Sequence, residues 1–191
     1  MAGYLKKMRV ATEANDLNDQ FTKACGQGDT ELVNTLLALP IQIGIAPGGV
    51  AGEAQFPLAY ACIQGNLEIV RILLALPLER GVRPAEYQAE EDLAAPALYL
   101  ACVRGHTEIA RLLLALPLHR GVDAGSPFVL EDAVRNGHFD IVRMLLDLPP
   151  ERGVTLLTYH GDDIIDVAYE EGHLEIARLL LRRMTQVGGY R

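Results

Sequence analysis

Ala101-Cys-Val-Arg-Gly-His-Thr-Glu-Ile-Ala-Arg-Leu-Leu-Leu114 decides the fold, because the chain writes this pattern five times. Ala24-Cys-Gly-Gln-Gly-Asp-Thr-Glu-Leu-Val-Asn-Thr-Leu-Leu37 aligns with it without gaps, and so does Ala61-Cys-Ile-Gln-Gly-Asn-Leu-Glu-Ile-Val-Arg-Ile-Leu-Leu74. Ala133-Val-Arg-Asn-Gly-His-Phe-Asp-Ile-Val-Arg-Met-Leu-Leu146 and Ala168-Tyr-Glu-Glu-Gly-His-Leu-Glu-Ile-Ala-Arg-Leu-Leu-Leu181 complete the set. The anchoring glycines, Gly28, Gly65, Gly105, Gly137 and Gly172, stand 37, 40, 32 and 35 residues apart. A self-similar period of this size marks a stacked repeat. One such unit cannot bury its apolar face alone, and its neighbours cover it.

Each unit reads as two helices. In the second, Ile69, Val70, Leu73 and Leu74 fall at helical spacing and form its apolar face. Leu74 and its counterpart Leu114 are expected in the core between helices. The polar face pairs an acid with a base three residues on: Glu68–Arg71, Glu108–Arg111, Asp140–Arg143 and Glu175–Arg178. Such pairs stabilise a helix by roughly 0.2–0.5 kcal/mol each. The glycine lies between the helices, where a left-handed backbone is cheap for glycine alone. Pro40, Pro77, Pro117 and Pro149 follow the second helix. The residue before proline resists the helical region, so these helices should stop near Leu39, Leu76, Leu116 and Leu148. Beyond them come Gly44, Gly81, Gly121 and Gly153, then segments rich in Pro, Gly, Ala and acids that read as turns or hairpin fingers.

These residues resemble the ankyrin repeat family. Phe56-Pro57-Leu58-Ala59-Tyr60-Ala61 is similar to that family's Thr-Pro-Leu-His-x-Ala helix start, and Gly105–Leu114 is similar to its second helix. The helix-start motif is poor in three repeats, where Asp19–Ala24, Phe128–Ala133 and Asp163–Ala168 stand in its place. The extra Leu-Pro linker resembles the ankyrin repeats of intracellular bacteria and amoebae, translocated effectors among them. The resemblance implies an all-α ankyrin-repeat solenoid of about five helix-turn-helix units joined by finger loops. Its expected extent is 18–184, with repeats at about 18–52, 53–92, 93–123, 124–160 and 161–184. Residues 1–17 are expected as an N-terminal extension or cap, where Tyr4, Leu5, Met8 and Val10 suit a short helix. Residues 185–191 are expected as a tail. The last repeat lacks the Leu-Pro linker and ends Leu181-Arg-Arg-Met-Thr-Gln186, so a polar capping face and a monomer are expected.

Composition narrows the function classes. The 191 residues are 50% apolar and 22% charged, which suits a folded chain. The net charge of −8 argues against general phosphate-backbone binding and hence against nucleic acid as the partner. Apolar runs such as Leu112–Leu118 fall far short of the ~18 residues a membrane span needs. The N-terminus lacks the apolar core of a secretory signal, and three cysteines suit a reducing compartment, so a cytoplasmic protein is expected, with delivery to a host cell as the extension the effector resemblance suggests.

Chemical candidates are few. Cys25, Cys62 and Cys102 share one slot of the first helix, too far apart for a disulfide between equivalent positions. They read as small buried residues, because a catalytic thiolate needs a basic neighbour. His106, His138 and His173 follow the anchoring glycine and read as scaffold that bonds near the start of the second helix. One-repeat separations rule out a shared tetrahedral metal site. Tyr159-His-Gly-Asp-Asp163 is the rival for an enzyme or metal reading: His160 with Asp162 and Asp163 suits a metal or an acid–base pair. A turn in which Asp162 or Asp163 caps the next helix explains the same residues. Pro47–Gly52 is glycine-rich but lacks the Gly-Lys-Ser/Thr of a phosphate loop. Nothing calls for a cofactor or a catalytic set.

The resemblance therefore implies a non-catalytic module that binds another protein on its concave surface. The family's variable positions map onto Glu53, Gln55 and Gln64, onto Asp92, Val103 and Arg104, and onto Arg135 and Asn136. In the last repeat they map onto Tyr159, His160, Asp162, Glu170 and Glu171. Tyr87, inside the acidic insertion Glu86–Asp92, reads either as solvated loop or as a further partner contact. Arg104 and Arg135, on neighbouring repeats, are placed to flank a partner carboxylate, with Glu170 and Glu171 one repeat on.

Overall fold

The structure, a computed structural model, describes residues 16–39, 56–77, 97–116, 124, 127–149, 154, 156 and 163–187. Ten helices occupy the described residues, in five consecutive pairs. They are α1 (16–27), α2 (Thr30–Leu37), α3 (Pro57–Gln64), α4 (Leu67–Ala75), α5 (Ala97–Val103), α6 (Thr107–Leu114), α7 (Pro127–Arg135), α8 (Phe139–Leu146), α9 (Ile164–Glu170) and α10 (Leu174–Val187). The all-α reading holds. The segments expected as fingers, with Pro47–Gly52 and Glu86–Asp92, lie outside the described residues, as does the cap expected from Tyr4 to Val10. At the ends, α1 takes in Asp16 and Leu17, and α10 runs on to Val187.

Helices of seven to nine residues are too short to persist alone in water, so packing must hold them. The chain forms two compact units, Met1–Ala97 and Leu98–Arg191. In the first, α4 packs on α3 and on α2. In the second, α8 packs on α7 and lies between α6 and α10, while α9 packs on α7 and α10. The core repeats with the sequence. Phe21, Leu58, Leu98, Leu130 and Ile165 fill one slot of the first helices. Leu36, Leu73, Leu113, Leu145 and Leu180 fill one slot of the second. Of the residues expected on the apolar face of α4, Ile69, Val70 and Leu73 are buried, but Leu74 is only half-buried. Its counterparts Leu114 and Leu146 are buried. The second helices stop at Leu37, Ala75, Leu114 and Leu146, within two residues of the expected ends.

One turn joins every pair. Gly105 and Gly137 adopt φ of +74° and +73°. The next residue's N–H returns to the alanine carbonyl of the first helix, His106 to Ala101 at 2.9 Å and His138 to Ala133 at 2.9 Å. This is the six-to-one bond of a glycine-ended helix. A second demand falls on the same glycines. A Cβ on Gly105 would lie 2.6 Å from His138 Cε1, and one on Gly137 would lie 2.6 Å from His173 Cε1.

Those rings are where they are for a reason the sequence did not disclose. His138 begins α8 by backbone position, but its side chain makes no capping bond there. Its Nε2 donates instead to the carbonyl oxygen of Val103, at 3.0 Å, in the preceding pair. His173 Nε2 donates to the carbonyl of Arg135, also at 3.0 Å. A carbonyl only accepts, so Nε2 carries the hydrogen in both rings. Asn66 does the same with its amide, donating to Cys25 O at 2.8 Å and Gly26 O at 2.9 Å. The expected bonding near the start of the second helix is thus corrected for His138 and His173. Each ties its pair to the one before. Asp29 holds the same slot, but a carboxylate cannot donate, and it caps its own helix by accepting from Leu32 N at 2.9 Å.

The exposed surface of the last pair is polar in part, with Asp166, Arg178 and Arg182, and apolar in part. On the last pair, Tyr169, Leu174 and Leu181 are 50%, 53% and 39% exposed. Three of the expected acid–base pairs form, Arg71–Glu68 at 3.8 Å, Arg111–Glu108 at 3.4 Å and Arg143–Asp140 at 3.2 Å. Arg178 makes no ion pair among the described residues. No helix among the described residues is long and apolar enough to cross a membrane.

Candidate protein-binding face

The first helix of each pair buries one side and leaves its C-terminal end in solvent. In the first unit, Gln64 is the exposed last residue of α3. One turn earlier stands Tyr60. Together with Asp19, Thr22, Lys23, Gly26 and Gln27 of α1 they line a groove of about 490 Å3. Its lining residues include one acid and one base, Asp19 and Lys23, but most of the surface they present is apolar. Such a wall offers a few hydrogen-bonding groups around an apolar floor, as a peptide contact needs.

In the second unit, Arg104 follows α5 and Glu170 ends α9; both are exposed. Among the described residues, no other group bonds the side chain of Gln64, Arg104 or Glu170. Arg135 is different. Its guanidinium donates to Glu131 Oε1 through Nε at 3.2 Å and through a terminal nitrogen at 2.9 Å. It also pairs with Glu171 at 3.6 Å. The Glu131 side chain is only 8% exposed, so Arg135 neutralises a nearly buried carboxylate. That bonding holds the guanidinium charged still more firmly than usual. Asn136 donates its amide to Asp132 O at 2.7 Å. The positive charge of Arg135 and the negative charge of Glu171 therefore answer each other within the fold. The sequence had offered both to a partner.

Sequence reasoning missed Tyr99, Glu131 and Asp132. The Tyr99 hydroxyl donates to Asp132 Oδ2 at 2.8 Å. Burial, followed by that bond and the carboxylate's charge, pushes the Tyr99 phenol up to about 12. A usable signal was present. Glu131 precedes Arg135 by four residues and Asp132 precedes Asn136 by four, the spacing at which helix side chains meet. Tyr60 stands in the same relation to Gln64.

Glu53, Gln55, Tyr87, Asp92, Tyr159, His160 and Asp162 lie outside the described residues. Asp163 takes the capping role: its carboxylate accepts from Ile165 N at 2.9 Å and begins α9. The cysteine slot is buried, with Cys25, Cys62 and Cys102 free and fully covered. Burial lifts each thiol to about 12, which makes these groups poor nucleophiles. Among the described residues no group of three or more His, Cys, Asp or Glu is placed to hold a metal ion.

No curated protein matches the chain. The family model described as ankyrin repeats in three copies matches residues 21–125 and 82–152, more than half of the 191 residues. With the glycine-centred helix pairs and their side-chain ties from pair to pair, this places the chain in the ankyrin repeat family.

Proposed function

We propose that this chain is a non-catalytic module that binds another protein across the exposed C-terminal ends of its first helices. Ankyrin repeats are in general protein–protein interaction modules. The observation that carries the reading here is that Gln64, Arg104 and Glu170 are exposed on those helix ends and bond no other described residue, while their neighbours Arg135 and Asn136 are held by the fold. In the first unit the α1–α3 groove supports a peptide contact around Gln64 and Tyr60. In the second unit, Arg104 supports a carboxylate on the partner, and Glu170 supports a basic group. Arg135 supplies position rather than recognition, because its charge is answered by Glu131 and Glu171.

Affinity capture with the folded full chain as bait, read by mass spectrometry, tests this. Arg104→Glu and Gln64→Glu are the comparison baits, since both side chains are exposed and bond no other described residue. A protein enriched by the wild type and lost from either variant is the expected result. A partner retained equally by both variants would move the site away from these helix ends.

A further inference from the structure

Asn136-Gly137 joins α7 to α8, and it is the place in the chain where a glycine follows an asparagine. Asn15 and Asn18 precede aspartates, Asn34 a threonine and Asn66 a leucine. An asparagine amide carbon, Cγ, is an electrophile one ring closure away from the backbone nitrogen of the next residue. The five-membered ring takes in Cα, Cβ, Cγ and the carbonyl carbon of the asparagine, and that nitrogen. A side chain on the next residue crowds the nitrogen and restrains the backbone, and glycine does neither. Asn136 is exposed, so water reaches its amide. The other described asparagines are worse placed. Asn18 is buried, Asn34 sits inside α2, and the Asn66 amide is spent on the carbonyls of Cys25 and Gly26.

The fold holds the two reacting groups back. Asn136 Nδ2 donates to Asp132 O at 2.7 Å. The Gly137 N–H donates to Val134 O at 3.1 Å, and the His138 N–H donates to Ala133 O at 2.9 Å. Ring closure takes the side chain off Asp132. It also rotates the backbone about the Asn136 Cα–C bond, which pulls both N–H groups from their carbonyls. The His138 ring adds a restraint from the preceding pair, through its bond to Val103 O at 3.0 Å. The reaction therefore waits on a local opening of this turn, an event that falls short of unfolding the whole unit.

We propose that Asn136 is a self-modification site, deamidated through Gly137 when the α7–α8 turn opens, and that the product cannot rebuild the turn. The Gly137 nitrogen gives its proton to a solvent base and bonds to Asn136 Cγ. The Cγ–Nδ2 bond breaks, and Nδ2 leaves as ammonia with a proton from water. A second water then opens the ring. Opening at Cγ leaves aspartate, and opening at the main-chain carbonyl leaves isoaspartate, whose backbone is one methylene longer. The sum is amide plus water giving acid plus ammonia. The new carboxylate has no hydrogen to donate to Asp132 O. It also sets a second negative charge four residues after Asp132 on the same helix face. The longer isoaspartate backbone takes the His138 N–H and ring out of register with Ala133 O and Val103 O. The change runs one way and loosens the junction between the α5–α6 and α7–α8 pairs.

Peptide mass spectrometry on the full chain, held in mildly alkaline buffer with and without denaturing urea, tests this. It sees NH2 exchanged for OH and separates aspartate from isoaspartate by retention. In denaturing urea the Asn136 peptide is expected to convert fastest of the asparagine peptides. In the folded chain it is expected to convert more slowly by roughly an order of magnitude or more, since the turn must first open. Urea below the unfolding transition is expected to raise the folded rate while circular dichroism stays native. His138→Ala is expected to raise it several-fold relative to that variant's own rate in denaturing urea. Asn136→Asp is expected to fold with a lower denaturant midpoint than the wild type. An Asn136 peptide left unconverted in denaturing urea overturns the site. Equal rates with and without denaturant, or a folded rate that ignores both mild urea and His138→Ala, overturn the control by the turn. An unchanged midpoint for Asn136→Asp, with the isoaspartate-bearing chain as stable as the fresh one, overturns the loosening.

Discussion

At the scale of single residues, the anchoring glycines carry two separate burdens. Gly137 and Gly172 share a left-handed backbone, with φ of +73° and +77°. Only Gly137 also faces the ring of a following histidine. Gly172→Ala should therefore cost about 1 kcal/mol, the price of a left-handed residue with a Cβ. Gly137→Ala should cost clearly more, because the His173 ring must move and its bond to the Arg135 carbonyl must weaken. Denaturant midpoints for the two variants would measure the difference. Equal losses would mean that the ring swings aside freely. The glycine positions were legible in the sequence because backbone conformation is local. The histidine's partner was not, because its acceptor lies 35 residues away in the chain for His138 and 38 for His173.

At the scale of the helix, one leucine of each adjacent pair matters more than the other. Leu73 is fully buried and Leu74 only half so. Leu73→Ala should cost roughly 2–5 kcal/mol, with the cavity adding to the lost transfer energy. Leu74→Ala should cost less than half as much. Urea titrations of the two variants would decide it, and equal losses would put the helix in a different rotation from the one described. Helical periodicity in the sequence marks both leucines as apolar. It cannot rank them, because adjacent residues stand about 100° apart on a helix and the neighbouring helix chooses between them. The same limit explains α1, α7 and α9. Their sequences match the family's helix start poorly, yet each forms a first helix; for α7 and α9, packing against the second helix compensates for a weak local signal. The i,i+4 pair of Glu131 and Arg135 was there to be read. What could not be read was that Glu131 points inward, which turns an exposed ion pair into a structural one.

For the molecule as a whole, the buried thiols link stability to pH. Cys25, Cys62 and Cys102 rise from an ordinary 9.0 to about 12, through burial. Below pH 9 the thiols are protonated in both the folded and unfolded chain, and they contribute no pH dependence. Between 9 and 12 the unfolded chain releases its thiol protons while the folded chain keeps them. The folded state then binds more protons, so stability falls as pH rises, by up to ~1.4 kcal/mol per pH unit for each thiol. Denaturant midpoints should be level up to about pH 8.5, as far as the cysteines go, and drop steeply by pH 10.5. Replacing Cys102 with Ala should flatten part of that drop. A midpoint unchanged across the range would mean that the thiols ionise without unfolding.

Helix spans, the glycine turns and the buried cysteine slot all follow from spacing within one unit, and spacing is written in the chain. The candidate binding positions were legible as helix ends, and Gln64, Arg104 and Glu170 are exposed there. Which charges are spent inside the fold depended on residues more than thirty positions apart coming together, as Arg135 does with Glu171 and Tyr99 with Asp132. The exposed apolar groups of the last pair have the same origin. Tyr169, Leu174 and Leu181 are exposed, and spacing marks an apolar slot without showing whether packing covers it.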